Sequence, residues 1–303
     1  MRKVKQIKEK EDENSLFDEM KIKSQAAMEY LMTYGWAILI IALTLAVLYS
    51  LGIMNPKNFV PRAPPGSCFV FRPNGPGTTD FVSLQGTCGY LPMYVASANG
   101  THGCITTPIP NIVGDKTIVG WIYPNKNSRA TIYTIDDSDW GYRGWALRSD
   151  GTVLAFRIGN GSTGQNVYSS GGCPVYLRWN FVAATYNRTS NSVVFYCNGN
   201  KDGPKYFTIQ PVQWYTSGAI LGEDCVQNEV GLNGFMANVQ VYNTILTPQE
   251  IQYLYQQGLG GAPVRLQNLV AWWPLNGDAK DYSGNNNHGK ISYVTFIQNY
   301  NPP

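Results

Sequence analysis

The sequence predicts a long N-terminal α-helix followed by an all-β sandwich of two antiparallel sheets, of the jelly-roll type. Residues 31–53 contain no Lys, Arg, Asp or Glu, and at about 1.5 Å per residue such a helix crosses a bilayer core of about 30 Å. Beyond this segment, apolar and polar residues alternate in short runs separated by turn dipeptides, which is typical of antiparallel strands. Only one later segment carries helix signals at both ends.

The apolar segment over residues 23–54 holds a single acidic residue, Glu29. A carboxylate at this position is costly in lipid unless it finds a partner. Lys21 and Lys23 precede the segment, which favours a cytoplasmic N-terminus. The helix is expected to end near Asn55, because a proline-rich linker follows over residues 56–66.

Gln25, Glu29 and the apolar run after them resemble the class III signal of archaeal type IV pilin-like proteins. The resemblance implies that residues 1–24 are a leader, which a prepilin peptidase removes by cutting between Ser24 and Gln25. Residues 25–55 would then form the pilin helix of a helical homo-oligomeric filament. Glu29 would pair with the new α-amine of Gln25 on a neighbouring subunit and set the register between subunits.

Two alternatives to the pilin interpretation stay open. Residues 1–24 contain no apolar stretch of their own, so they are not an ordinary secretory signal. They are also consistent with a permanent cytoplasmic tail on an uncleaved membrane anchor. The second alternative concerns Glu29 alone, which would lie at the depth of the lipid headgroups and be solvated.

The cysteines and glycosylation sequons predict that the chain beyond the helix is extracellular. The six cysteines are Cys68, Cys88, Cys104, Cys173, Cys197 and Cys225. An even number on the far side of a membrane predicts up to three disulfides, with 15 connectivities available. Sequons for N-glycosylation begin at Asn99, Asn160 and Asn187. The net charge of only +3 gives no indication of a nucleic-acid partner.

Period-2 runs locate the strands of the predicted sandwich. They cover residues 117–123, 130–135, 145–148, 153–158, 181–186, 192–197, 219–221 and 234–242. Asp150-Gly151, Asn160-Gly161 and Asn198-Gly199 are turn dipeptides between strands. One helix is predicted over residues 247–257, with Thr247 and Glu250 as a capping box and Gly258 as its stop.

This order of elements resembles the laminin-G-like, concanavalin-A-like lectin sandwiches. The resemblance rests on residues 117–121, 179–186, 192–199, 232–242 and 246–255, and it covers about residues 110–296 within an expected domain of 110–303. Residues 67–109 fall outside it and are expected to form a Cys-containing loop layer.

The family's usual opening strand comes last in this chain, at residues 269–290. The domain is therefore interpreted as circularly permuted, with its last segment completing the sandwich. The alternatives are that this segment starts a second repeat, or that it pairs with a neighbouring subunit.

The sequence indicates no enzyme. Glycoside hydrolases of similar folds need two carboxylates on either side of the scissile bond. Beyond the apolar segment only Glu223, Glu229 and Glu250 are glutamates, and they are not spaced as E-x-D-x-x-E. Nucleophile elbows, phosphate-binding glycine loops and H-E-x-x-H motifs are missing as well.

Two groups of acidic residues are candidate Ca²⁺ ligands. Asp136, Asp137 and Asp139 form the densest acidic cluster and offer carboxylate oxygens. The alternative is a solvated loop between strands. Asp278 and Asp281 form the second group, for which the alternative is hydrogen bonding within an Asx turn.

Aromatic residues beside the first acidic cluster are candidates for stacking on sugar rings. They are Trp140, Tyr142 and Trp145. The alternative is that they pack in the core, as large aromatics of sandwiches often do.

These observations predict a structural subunit. The chain would enter the membrane as a precursor and then form a surface filament that displays lectin-like domains for adhesion, with glycans as ligands. The alternative is a monomeric, uncleaved, membrane-anchored lectin.

Overall fold

The computed structural model describes residues 2–50, 61–101, 103–108, 112–126, 129–136, 143–212, 219–221, 230–298 and 300–303. The chain divides into two compact units, Met1–Val60 and Pro61–Pro303. The first is built on one helix and the second on β-strands.

The helix of the first unit, α1, covers Arg2–Ser50. Leu, Ala and Met, which are good helix formers, are frequent in its apolar half. The segment Lys23–Leu48 is long and apolar enough to cross a membrane, by length and composition, and none of it is buried. The helix begins well before residue 25, since the charged residues 2–24 belong to the same helix.

The predicted helix end near Asn55 lies outside the described residues, as do residues 56–60 of the predicted linker. The rest of that linker is not entirely irregular. Arg62–Ala63 forms a short strand that pairs in parallel with Leu91–Pro92.

The strands of the second unit follow one another along the chain. They are β1 (Arg62–Ala63), β2 (Cys68–Phe71), β3 (Ser83–Gly86), β4 (Leu91–Pro92), β5 (Val95–Thr101), β6 (Cys104–Thr107), β7 (Lys116–Pro124), β8 (Arg129–Asp136), β9 (Arg143–Asp150), β10 (Val153–Asn160), β11 (Gly164–Tyr168), β12 (Asn180–Asn187), β13 (Ser192–Cys197), β14 (Asn200–Tyr206), β15 (Ala219–Leu221), β16 (Val230–Tyr242), β17 (Leu269–Trp273), β18 (Lys290–Ser292) and β19 (Thr295–Ile297). Each of the eight predicted strands is present, most of them longer by a few residues.

The larger sheet has the order β14-β13-β12-β7-β16-β5-β19. Its long strand β16 pairs with β7 on one side. On the other side it pairs first with β5 and then, nearer its C-terminal end, with β17. The change of partner coincides with an irregularity at Asn238, whose φ is +53°.

The opposing strands form a four-stranded sheet in the order β11-β10-β9-β8 and a three-stranded sheet in the order β15-β6-β18. The turns between the predicted hairpins carry the glycines that the sequence places there. Gly151, Gly161 and Gly199 have φ values of +67°, +92° and +81°, which suit glycine best. Local sequence therefore determines these hairpins.

Two hydrophobic clusters lie on opposite faces of the larger sheet. Ile118, Val182 and Phe195 pack with residues of the four-stranded sheet, including Leu147 and Phe156. On the other face, Val119, Trp121 and Phe181 pack with Ile251 and Leu254 of the late helix, α2 (Pro248–Gln257). Since both faces are covered, β7 and β12 are buried along nearly their whole length.

The late helix α2 covers Pro248–Gln257 and has the predicted caps. The Thr247 hydroxyl accepts a hydrogen bond from the Glu250 backbone, and the Glu250 carboxylate accepts one from the Thr247 backbone. Gly258 ends the helix. Pro248 stands at the first helical position, where a missing N–H costs nothing.

Residues 67–109 form more than a loop layer, which corrects the prediction. Within this range β5 pairs with β16, and β6 pairs with β15 and β18. The reason is burial: Val95, Cys104 and Ile105 are at most 1% exposed. A segment with such buried apolar residues gains more stability by pairing with strands of the sheets than by lying over the sheets as a loop.

The C-terminal segment pairs within its own chain, as expected. Strand β17 pairs with β16, β18 with β6 and β19 with β5. Trp273 of β17 is fully buried in the core between the sheets. Circular permutation itself stays an interpretation.

Disulfides join Cys68 to Cys88 and Cys173 to Cys197. Cys104 is also disulfide-bonded, and Cys225 lies outside the described residues. None of the described cysteines is free. Structural disulfides persist in oxidising compartments, so together with the apolar helix they indicate a membrane-anchored or secreted protein.

Candidate functional site

The first acidic cluster lies at the end of the β8–β9 hairpin. Asp136 is the last residue of β8 and pairs with Gly144, whereas Asp137 and Asp139 lie outside the described residues. In the described part of the chain, no group of three or more His, Cys, Asp or Glu residues could hold a metal ion. Calcium binding at this cluster stays a prediction.

The carboxylate oxygens of the second acidic group accept hydrogen bonds from other groups of the protein. The Asp281 carboxylate, 5% exposed, accepts hydrogen bonds from the backbone N–H groups of Trp272, Ser283 and Asn287. Asp278 accepts from the Lys280 N–H and the Tyr282 hydroxyl. This hydrogen-bonding pattern is the Asx-turn alternative, and it ties the loop after β17 to the sheet.

Of the three aromatics predicted to stack on sugars, Trp140 and Tyr142 lie outside the described residues. The prediction for Trp145 is wrong, because its side chain is fully buried. It packs between Tyr133 and Phe156, with ring centroids 5.1 Å and 6.1 Å away. A ring that fills the core cannot stack on a ligand at the surface.

The three sequons are at the surface or in turns. Asn99 is exposed on β5. The side-chain oxygens of Asn160 and Asn187 accept backbone hydrogen bonds from Ser162 and Ser190 within tight turns. Their glycosylation stays a prediction.

The residues of the pilin signal lie in exposed positions on α1. Ser24 and Gln25 are adjacent within the helix, and Glu29 is about one turn further along. The Glu29 carbonyl accepts a hydrogen bond from the Thr33 hydroxyl at 2.8 Å, which is a bond within the helix. Cleavage and pairing at these residues stay predictions.

The most promising binding surface is the face of the four-stranded sheet that points away from the core. Leu147, Leu154, Phe156 and Ile158 face the core, so the alternate positions face outward. The outward positions of β8 to β11, which we call the arginine face, include Thr131, Thr134, Ala146, Arg148, Ala155, Arg157, Asn166 and Tyr168.

Strand register places each arginine of this face opposite an alanine. Arg148 of β9 pairs with Ala155 of β10, and Arg157 of β10 pairs with Ala146 of β9. Both alanines are buried, at 0% and 2% exposure, although they face away from the core. Their small side chains leave room for the guanidinium groups to lie along the sheet.

A hydrogen bond shows how Arg148 uses this room. Its Nη2 donates to the Asn166 Oδ1 at 3.0 Å. Asn166 lies on β11, two strands away from β9, which is a distance of about 10 Å across the sheet. The Arg148 side chain must therefore cross β10, and this crossing accounts for the burial of Ala155.

An exposed ring and a flat backbone strip border the arginines. Tyr168, at the end of β11, is 44% exposed. At the other end of the face, Gly144, Gly159 and Gly164 form one row across three strands. Gly144 and Gly159 are themselves buried, so this row adds no open surface. The exposed ring of Tyr168 is suited to contact with a flat apolar patch, such as one side of a sugar.

The sequence alone does not identify this surface, although the alternation of residues in two strands points toward it. The predicted strands 145–148 and 153–158 alternate so that Arg148 and Arg157 fall opposite to the core residues. What could not be read was that β10 pairs with both β9 and β11, which brings these side chains together.

Comparison with known proteins identifies the fold. No curated protein is significantly similar to the chain. Among solved structures, a Bacteroides ovatus ATCC 8483 protein to which carbohydrate binding is attributed shares 17% identity at a TM-score of 0.54, with 73% of this chain covered. The alignment spans only 64% of that protein's length. At this identity, the likeness concerns the fold alone.

More distant structures resemble the chain less closely. The heptameric SAP-like pentraxin of Limulus polyphemus has 13% identity and a TM-score of 0.49, over 67% of this chain and 94% of its own. The CBM40 of a Ruminococcus gnavus IT-sialidase, bound to α2,3-sialyllactose, has 14% identity and a TM-score of 0.40, over 46% and 82%. A family model matches residues 99–252, half of the chain, and the chain therefore belongs to the concanavalin A-like lectin/glucanase superfamily.

Proposed function

We propose that this chain is a carbohydrate-binding subunit of a type IV pilus-like filament, displayed outside the cell. The observation that carries the proposal is the combination of an uncovered apolar helix with a sandwich of a lectin superfamily. The helix requires an apolar environment, and the sandwich offers a polar ligand-binding face. The role is one of binding and assembly rather than catalysis.

The apolar side chains of α1 are exposed. Leu31, Trp36 and Ile40 are 73%, 66% and 58% exposed, as are their apolar neighbours along α1. So large an apolar surface is stable only in lipid or against other helices. A filament core made of such helices satisfies this need after the precursor leaves the membrane, and Glu29 would then pair with the α-amine of a neighbouring subunit.

The superfamily of the sandwich and the arginine face both favour a carbohydrate as the ligand. The superfamily match supports sugar binding as a class of function, as does the carbohydrate binding attributed to the Bacteroides protein. The arginine face supplies an exposed ring at Tyr168, beside the polar side chain of Asn166.

An uncleaved, membrane-anchored lectin is the second candidate. One observation favours it: α1 runs without a break from Arg2 through Ser24 and Gln25 to Ser50. A continuous helix is less accessible to a peptidase than an extended segment, and it would serve well as a cytoplasmic extension of an anchor.

N-terminal sequencing of the native protein distinguishes the two candidates. Gln25 as the first residue supports the filament subunit, and Met1 supports the anchor. Electron microscopy of cell surfaces then tests for filaments. If the mature protein starts at Met1 and no filaments are found, the pilus proposal fails.

Carbohydrate binding is tested with the full chain in detergent on a glycan array. We expect Tyr168→Ala to weaken binding at least about tenfold, because stacking on an aromatic ring supplies much of a sugar's apolar contact. Tyr253→Ala is the matched control, since Tyr253 is 51% exposed but lies on α2. Equal binding by both variants would contradict the assignment of the site.

A further inference from the structure

We infer that a narrow cleft beside Trp272 is a second ligand site, which holds the acetamido group of an N-acetylated sugar. This inference rests on the proposed carbohydrate-binding function, and it assigns a site and a ligand class apart from the arginine face. The lining of the cleft, its size and the hydroxyl groups at its rim support it.

The cleft lies in the second unit, where residues 63–68 and 87–92 meet strand β17 and the turn after α2. Its most buried lining residues are Trp272 and Leu259, which are 3% and 1% exposed. The Trp272 indole N–H already donates to the Asn238 side chain at 2.8 Å, so this residue offers the cleft an apolar ring. The inner wall is therefore fixed by packing and hydrogen bonding.

The lining of the cleft is uncharged and mostly apolar. It includes three proline rings, those of Pro64, Pro92 and Pro274. Among the described residues that line the cleft there is no Lys, Arg, His, Asp or Glu. A charged group would lose its water here without gaining an ion partner, so the cleft is suited to an uncharged part of a ligand.

The size of the cleft limits what can enter it. It has room for about three groups of the size of a water molecule, so a whole sugar ring does not fit inside. A sugar could insert a short substituent while its ring stays at the rim. An acetamido group is such a substituent, because it is uncharged, ends in a methyl group, and carries one hydrogen-bond acceptor and one donor.

Three hydroxyl groups around the cleft have no hydrogen-bond partner within the described part of the chain. They belong to Ser67, Thr87 and Tyr90. A hydroxyl can donate to a carbonyl oxygen and accept from an N–H, so these groups can pair with both polar ends of an amide. Tyr90 is also 41% exposed, and its ring can contact the apolar side of the sugar itself.

A buried amide in the same lining has a donor to spare. Asn276 is 6% exposed, and its side-chain nitrogen donates to the Ala63 carbonyl at 2.9 Å. That nitrogen carries a second N–H, for which the described residues supply no acceptor. A ligand carbonyl in the cleft would give a buried donor the partner that it lacks.

The rim is held in place before a ligand arrives. The Thr87 N–H donates to the Ser67 carbonyl at 2.6 Å, and a disulfide joins the two residues that follow them. The backbone at Tyr90 lies so close to Gly260 that a Cβ there would collide with the Tyr90 carbonyl oxygen. Groups that are already fixed lose less freedom when they bind a ligand.

The test uses the full chain, in a detergent without sugar head groups, and two matched pairs of neutral sugars. Chitotriose is compared with cellotriose, and N-acetylgalactosamine with galactose. Within each pair, the sugars differ only in carrying an acetamido or a hydroxyl group at the second carbon. We expect at least one acetylated sugar to bind at least about tenfold more tightly than its partner, because a buried methyl group and hydrogen bonds are added. Saturation-transfer NMR should give the strongest signal at its acetyl methyl protons.

Variants then connect this preference to the cleft. Thr87→Val and Tyr90→Phe each remove one hydroxyl and keep the shape of the side chain. Each should weaken binding of the acetylated sugar about two- to tenfold, because one hydrogen bond is lost, and the double variant should lose most of the preference. Thr79→Val and Tyr253→Phe are the matched controls, since both residues are exposed and lie outside the cleft. They should change binding less than twofold.

The outcomes separate this inference from the proposed function. Equal binding within both pairs would overturn the inference, and so would equal losses in the controls or a preference that survives in the double variant. If the surviving preference is lost in Tyr168→Ala, the arginine face is the site and the carbohydrate-binding function stands. Binding to no glycan at all would contradict both. Thermal unfolding of each variant verifies that it is folded, and Tyr90→Phe alone replaces the double variant if the latter unfolds.

Discussion

Two tryptophans show the contrast between the two units of this molecule. Trp36 in α1 is 66% exposed, whereas Trp273 in β17 is fully buried. The larger sheet of the sandwich is covered on both faces by residues of its own chain. In α1, described by itself, the membrane-length apolar window has no buried residue. The sandwich therefore buries its apolar core within one chain, whereas the exposed apolar surface of the helix is suited to an apolar environment.

The largest expected effect comes from deleting residues 266–303. The deletion removes β17, β18 and β19 and leaves β16, β6 and β5 with unpaired edges. It also removes Trp273 from the core. We expect the second unit to aggregate or fail to fold, measured as soluble yield and elution on a sizing column.

The control for this deletion removes only residues 302–303 and should behave like the wild type. Trp179 keeps its hydrogen bond to the Asn301 carbonyl in that control. A monomeric, folded chain lacking residues 266–303 would show that the sandwich is complete without its last segment.

In the helix, Glu29→Ala should leave membrane insertion intact and abolish filaments. The apolar segment drives insertion by itself, whereas the register between subunits would lose its charge pair. Thr44→Ala is the control, because the Thr44 hydroxyl only bonds carbonyls of its own helix. Electron microscopy of cells that express each variant measures filament number, and normal numbers for Glu29→Ala would refute the pairing.

Local signals made much of the fold predictable. The strand over Ser192–Cys197 and the cap of α2 at Thr247 were located correctly, because a hairpin turn and a capping box involve residues only a few positions apart. That the larger sheet is covered on both faces was also predictable, because a strand as apolar as β12 must be buried on both of its faces.

Long-range pairing was the part that the sequence could not supply. Strand β5 belongs to the sandwich because it pairs with β16, about 130 to 140 positions later in the chain. Trp145 is a candidate for stacking on sugars by its acidic and aromatic neighbours in sequence, and strand alternation decides for the core alternative by burying it against Tyr133. The arginine face likewise depends on which strands are neighbours, and no local pattern specifies that.

Substitution of the two tryptophans tests the contrast directly. We expect Trp273→Ala to lower the free energy of unfolding of the sandwich by about 3–5 kcal/mol, because it leaves a cavity in the core. Trp36→Ala should leave that free energy unchanged, since Trp36 is exposed on α1 and belongs to neither hydrophobic cluster of the second unit. Urea unfolding of the full chain in detergent, followed by tryptophan fluorescence, measures both. Equal effects would mean that the helix contributes to the stability of the sandwich.

The buried Lys116 gives the sandwich a dependence on pH. Its ammonium donates to the Gly114 carbonyl at 2.8 Å and lies 4.5 Å from the Tyr186 ring centroid. Burial, helped by the nearby Arg188 and opposed by Asp115, lowers the pKa of Lys116 to about 7. In the unfolded chain the group titrates near 10.5, so between these values the unfolded state binds more protons.

This difference in bound protons determines whether stability rises or falls with pH. The stability of the wild type should rise with pH between about 7 and 10.5, by up to about 1.4 kcal/mol per pH unit from this group. Lys116→Met removes the titration, so its advantage over the wild type should be largest below pH 7 and should shrink as the pH rises. A stability difference between the two proteins that does not change with pH would show that Lys116 keeps its ordinary pKa in the folded state.

The smallest effect is expected at the cap of α2. Thr247→Ala removes the hydroxyl that accepts from the Glu250 backbone and should cost about 1 kcal/mol of unfolding free energy. The cost is seen in the whole sandwich because Ile251 and Leu254 bury the helix against the larger sheet. Thr247→Ser keeps the hydroxyl and is the matched control. If Thr247→Ala cost nothing in urea unfolding, α2 would be held by packing alone. In α1, whose membrane-length apolar window has no buried residue, the same loss of a local bond at Thr44 should leave the stability of the sandwich unchanged.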